Sequence, residues 1–87
     1  MMVFRQSHWI AAKVEDQLVM MNIEKDSYIG LSDTGARIWD LIEEPKTIEE
    51  IAERLQAEYD VSASVCREEV KAFLDELLRH GAVTLHE

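Results

Sequence analysis

The sequence predicts an α+β fold of winged-helix-like architecture, a three-stranded antiparallel sheet followed by a three-helix bundle. Two observations predict it. Three strand-like stretches fill residues 8–31, and three helical stretches, each opened by a capping residue, fill residues 32–80. The second and third helical stretches are separated by about three residues, the spacing of a helix-turn-helix.

The first strand is His8-Trp9-Ile10-Ala11-Ala12-Lys13-Val14, with imperfect alternation. Glu15-Asp16 offers a short polar turn. Gln17-Leu18-Val19-Met20-Met21-Asn22-Ile23 is an apolar run too short for a helix between such turns. After Glu24-Lys25-Asp26, the third strand is Ser27-Tyr28-Ile29-Gly30-Leu31. Two tight turns make a meander, so the middle strand is paired on both sides while the first and third are edges. Alternation puts Tyr28 and Gly30 on one face and Ser27, Ile29 and Leu31 on the other.

Ser32 is a helix N-cap, and Asp33 suits the positive end of the helix dipole. Ala36, Ile38, Trp39, Leu41 and Ile42 make a broad buried stripe. Gly35 sacrifices about 1 kcal/mol of helix propensity relative to Ala, which suggests close approach of another backbone. Glu43-Glu44-Pro45-Lys46 ends this helix. Thr47 caps the second, with Glu50 at capping-box spacing and Ile48, Ile51, Ala52, Leu55 and Tyr59 at helical intervals. Ser62 caps the third, which runs to His80 before Gly81, a residue suited to the left-handed C-terminal turn. Cys66, Val70, Phe73, Leu74 and Leu77 share one of its faces. Ala82-Val83-Thr84-Leu85 is a last extended piece.

The totals exclude several functions. The 87 residues make one domain, 1–87, with 47% hydrophobic residues, 3 Gly and 1 Pro, a loop-poor globule. No apolar run approaches the ~20 residues of a membrane span. The first five residues lack the features of a signal peptide. A single cysteine, Cys66, makes no internal disulfide, and the cytoplasm is the expected compartment. Net charge is −9, wrong for a protein that neutralises phosphates. The polar face of the third helix carries Glu68, Glu69, Asp75 and Glu76 against Arg67, Lys71 and Arg79, which argues against DNA reading.

No catalytic, metal or cofactor site is expected. His8, His80 and His86 are scattered, Cys66 has no His partner, and there is no Gly-rich phosphate loop. The acidic pairs Glu43-Glu44, Glu49-Glu50, Glu68-Glu69 and Asp75-Glu76 sit in or beside helices, where adjacent residues do not face each other, and read mainly as solvated faces. What remains is an edge strand beside a helix, an arrangement that captures peptides by strand addition.

The segments Tyr28-Ile29-Gly30-Leu31-Ser32-Asp33-Thr34-Gly35-Ala36-Arg37-Ile38-Trp39, Thr47-Ile48-Glu49-Glu50-Ile51-Ala52, Tyr59-Asp60-Val61, Val70-Lys71-Ala72-Phe73-Leu74-Asp75-Glu76-Leu77 and Gly81-Ala82-Val83 carry a resemblance. The chain resembles the PqqD-like family of recognition elements for ribosomally made, modified peptides. It is most similar to the stand-alone leader-binding proteins of lasso-peptide biosynthesis. The resemblance implies a non-catalytic protein without cofactor that binds the leader segment of a precursor peptide as a fourth strand. The guest would lie in a groove between strand 26–31 and helix 62–80.

By the same resemblance the strand half of the groove is Asp26, Ser27, Tyr28, Ile29, Gly30 and Leu31. The helix half is Val65, Glu69, Val70, Phe73, Glu76 and Leu77. The complex would be presented to a cysteine-protease-like leader peptidase and an ATP-dependent cyclase. The alternatives are a chaperone for a radical enzyme of another modified-peptide pathway and, from a different class, a winged-helix transcriptional regulator. No nucleic acid or membrane is expected as a partner, and edge pairing between copies would give a weak homodimer.

Overall fold

Three side-chain oxygens start the three helices. In the computed structural model, which describes residues 1–87, Ser32 Oγ accepts the Gly35 N–H at 3.1 Å and opens α1, Asp33–Leu41. Thr47 Oγ1 accepts the Glu50 N–H at 3.1 Å while the Glu50 carboxylate accepts the Thr47 N–H at 2.9 Å, a reciprocal box that opens α2, Ile48–Glu58. Ser62 Oγ accepts the Val65 N–H at 3.3 Å and opens α3, Ala63–His80. Gly81, at φ 74°, closes α3 in the left-handed conformation expected of it.

Six strands form two antiparallel sheets. β2 (Trp9–Val14), β3 (Gln17–Asn22) and β4 (Ser27–Gly30) make the expected meander, in the order β2-β3-β4. The turn into β4 is held by Asn22, a buried polar residue whose Oδ1 accepts the N–H groups of Glu24 at 2.9 Å and Lys25 at 3.2 Å. Asp26, at φ 55°, completes that turn, in a conformation Asp tolerates better than most residues.

The second sheet is an addition to the expected architecture. The N-terminal segment forms β1 (Met2–Arg5), placed between β5 (Lys46–Thr47) and β6 (Val83–His86). β1 and β6 pair Met2 with His86 and Arg5 with Val83. The extended piece after α3 therefore pairs with the start of the chain and not with the meander.

One core cluster of 18 buried residues joins these layers. The meander contributes Trp9, Met20, Ile29 and Leu31, and the helices contribute Ile38, Trp39, Ile51, Leu55, Val70 and Leu74 among others. Two polar clamps orient the helices. Arg5 stacks 4.3 Å over the Trp39 ring and donates to the Trp39 carbonyl, tying β1 to α1. Arg37 donates to both carboxylate oxygens of Glu58 at 2.7 Å and to Asp40 at 2.8 Å, tying α1 to the end of α2. No helix is long and apolar enough to cross a membrane.

Candidate functional site: a strand edge beside an acidic groove

β4 has β3 on one side and no strand on the other. The register fixes which backbone groups are vacant. Leu31 N–H donates to Leu18 O at 3.0 Å, and Met20 lies opposite Ile29 and Asn22 opposite Ser27. In an antiparallel ladder, hydrogen-bonded and non-bonded pairs alternate. Ser27, Ile29 and Leu31 therefore direct their N–H and C=O groups towards β3. Tyr28 and Gly30 direct theirs outward, two donors and two acceptors along one open edge. The C-terminal strand β6 is paired with β1 and not with that edge.

Where the chain leaves β4 it enters α1, and the first turns of α1 face α3. Between them lies a concavity of about 340 Å³ lined by Ser32, Thr34, Gly35 and Ile38 on one side and Glu69, Ala72, Phe73 and Glu76 on the other. Its floor depends on Gly35. A Cβ placed there would stand 3.0 Å from Cε1 of Phe73 and 3.4 Å from Cδ1 and Cζ. The expected close approach is thus made by an aromatic ring and not by another backbone. Phe73 remains half-buried, with part of its ring open to the groove.

Of the helix residues expected in the groove, Glu69, Phe73 and Glu76 are brought together there. Val65, one turn before Glu69 on the same stripe, is exposed but lies outside the concavity. Val70 and Leu77 are corrected: both are fully buried in the core and present no side chain to a guest. The reason is rotational. Glu69, Phe73 and Glu76 each precede a core residue (Val70, Leu74, Leu77) by one position, about 100° around the helix. That border, and not the core stripe itself, faces the groove.

On the strand, Ile29 and Leu31 are likewise buried, so they contribute packing while Tyr28 and Gly30 supply the open edge. Asp26 and Ser27 are exposed where β4 begins, as is the Tyr28 ring. Ser32, Thr34, Gly35, Ile38 and Ala72 join the lining without having been expected there; only the unusual glycine inside a helix signalled them.

The groove is electronegative. Glu69 and Glu76 make no ion pair within the chain. Cys66 on the same helix is a packing residue: its Sγ–H donates to the Ala52 carbonyl at 3.4 Å, and burial, with Glu69 adding to it, pushes the thiol pKa up and away from reactivity. No group of three or more His, Cys, Asp or Glu residues is placed to hold a metal ion. A larger concavity, about 680 Å³, lies between β2 and α1, but its two guanidiniums are already engaged, Arg5 on Trp39 and Arg37 on Glu58 and Asp40.

A family model described as coenzyme PQQ synthesis protein D (PqqD) matches residues 17–83. Among solved structures the chain is similar to TbiB1 in complex with the TbiA(beta) leader peptide, at 28% identity over 97% of this chain and 98% of that one, with a TM-score of 0.83. It is also similar in fold to a lasso peptide synthetase B1 complexed with the leader peptide, at 20% identity over 95% of this chain and 98% of that one, with a TM-score of 0.80. No curated protein matches the chain in sequence.

Proposed function

The chain belongs to the PqqD family, and from that premise we propose that it is a non-catalytic leader-binding protein of lasso-peptide biosynthesis. The observation that carries the reading is the open edge of β4 running into an acid-lined groove between α1 and α3. TbiB1, similar over nearly its whole length, is a protein solved with a leader peptide bound.

The leader adds to Tyr28 and Gly30 as a fourth strand by main-chain hydrogen bonding. An apolar side chain of the leader rests on Phe73, and a Lys or Arg meets Glu69 and Glu76. Hydrogen bonds at about 0.5–1.5 kcal/mol each and buried anchors at about 1.5–3 kcal/mol each, offset by ordering of the leader, give micromolar or tighter binding. Residues 1–87 act as one cytoplasmic domain that hands the bound precursor to a cysteine-protease-like leader peptidase and an ATP-dependent cyclase. Without a guest, open edges can pair two copies weakly.

Amide hydrogen exchange with and without a synthetic leader peptide tests the edge directly. The Tyr28 and Gly30 amides are expected to slow at least about tenfold on binding, while that of Ile29, already in the β3 ladder, changes little. A peptide that binds without protecting Tyr28 and Gly30 would remove the strand-addition mechanism.

A further inference from the structure

The meander has a second open edge, β2, with β3 on one side and no strand on the other. Ile23 N–H donates to His8 O at 3.0 Å, and the same register sets Ile10 opposite Met21 and Ala12 opposite Val19. Alternation turns the backbone groups of Trp9, Ala11 and Lys13 away from β3. The Trp9 N–H is taken by Gln6 O at 3.3 Å, whereas no strand meets Ala11 or Lys13. Past Trp9 both faces of β2 are bare as well. Ala11 and Lys13, on the same face as buried Trp9, are exposed, and Ile10 and Val14 on the other are 45% and 55% exposed.

The concavity of about 680 Å³ lies between this strand and α1, with Ala11, Leu18, Ala36 and Trp39 among its apolar walls. A neighbouring concavity of about 450 Å³ shares Leu18, Asp33 and Ala36 with it, and Ser32 with the groove between α1 and α3. The three adjoin in series, from the leader groove past the first turn of α1 to the β2 edge. Two observations say what guest suits this channel. Trp9, which lines it and is 4% exposed, has an indole Nε1–H buried with no acceptor in the chain. Buried donors are normally paired, and a peptide carbonyl is a fitting acceptor. Asp16, Asp33 and Glu43 outnumber Lys13 along the channel, and none of the four is in an ion pair. That balance favours a guest carrying Lys or Arg.

We infer that the β2 edge and the adjoining flank of α1 form a second peptide-binding site, whose occupant is a further stretch of the same precursor chain. The inference rests on the leader-capture reading and extends it. Both sheets are antiparallel throughout, so a guest on β4 in the same sense has its N-terminal end beside Gly30 and Ser32, where the channel opens. The occupant is therefore the stretch preceding the strand held by β4. Strands on the two outer edges of the meander would lie about 19 Å apart, a gap that about six extended residues cross. Charge disfavours a second copy, which brings its own net charge of −9. Tethering makes the second contact intramolecular, so it adds affinity without being strong alone.

The test uses two synthetic peptides of the pathway's precursor: the shortest that protects the Tyr28 and Gly30 amides from exchange, and the same peptide with all its preceding residues. The longer one is expected to bind at least about fivefold tighter and to slow the Ala11 and Lys13 amides at least about tenfold, which the shorter one leaves unchanged. Ala11→Pro removes one edge donor at a position where an edge strand tolerates proline. It should bring the longer peptide down to the affinity of the shorter and leave the shorter unaffected. Equal affinities in the wild type, with Ala11 and Lys13 unprotected, overturn the inference. So does protection of these amides that needs no peptide and grows with protein concentration, the mark of a second copy. If Ala11→Pro fails to fold, the exchange comparison on the wild type decides alone. A precursor that protects neither edge counts against the leader reading itself, whereas protection of Tyr28 and Gly30 alone removes only the second site.

Discussion

The Phe73 ring occupies the space a side chain on Gly35 would need, with Cε1 3.0 Å from the position of the missing Cβ. One residue without a side chain on α1 thus sets the depth of a groove whose opposite wall is α3. The Gly35→Ala variant should gain about 1 kcal/mol of helix propensity and lose a similar amount in displacing the ring. Net stability should stay within about 1 kcal/mol of wild type. Leader affinity should fall about threefold to tenfold as the ring tilts into the groove. Thermal melting and a leader titration on the same sample check both halves.

The outward direction of the Tyr28 and Gly30 backbone groups predicts a parity effect in the guest. Leader peptides N-methylated at successive positions should divide into two alternating classes. Methylation of an amide facing β4 should weaken binding by about tenfold, from a lost hydrogen bond and a steric block. Methylation at positions facing away should matter far less. Equal losses at every position would argue against a strand. This test leaves the protein untouched, which matters because Ile29, the obvious residue to mutate, is buried and a charge there would compromise the fold.

Glu69 and Glu76 line the groove without a cation of their own. Replacing either by Lys should weaken a leader that places Lys or Arg there by about twofold to fivefold, the range of a solvent-exposed ion pair. The loss should shrink at high salt. Calorimetry at two ionic strengths measures both. An affinity that rises on charge reversal would mean that the guest brings acid to this wall.

The Arg37–Glu58 clamp gives a pH dependence. Hydrogen bonds from Arg37 hold the Glu58 carboxyl below its ordinary pKa, chiefly through the side-chain donors and then the charge. Because the folded-state pKa is the lower one, the contribution to stability is fully present above the unfolded value and disappears as pH falls through the folded value. Glu50 shifts the same way, through the Thr47 capping box. Urea midpoints of wild type and Glu58→Gln should therefore differ most at neutral pH and converge in acid.

Local chemistry made much of this fold legible. Ser32, Thr47 with Glu50, Ser62 and Gly81 act on neighbours within a few residues, so their roles can be read from spacing alone. The meander was legible for the same reason, since its pairings cross short turns. The second sheet was not. β1 has four residues and β5 two, and Met2 meets His86 across nearly the whole chain. β4 is as short as β1, but its partner lies one tight turn away, whereas nothing near β1 in sequence marks its partners.

The groove was legible in part. Helical periodicity identified the stripe of α3 that is apolar but not how far the helix is rolled against its neighbours. Val70 and Leu77 thus entered the expected wall, although they are core. The contact of Phe73 with Gly35 that marks the groove side is a relation between residues 38 positions apart, outside the reach of helical spacing.

The pairing of Met2 with His86 leaves the two chain ends side by side at one corner. A short linker could join them, and a new start could be cut in the exposed Glu43–Pro45 turn, preserving every strand pairing in a circular permutant. Fusion partners attached before Met1 or after Glu87 would emerge from the same point.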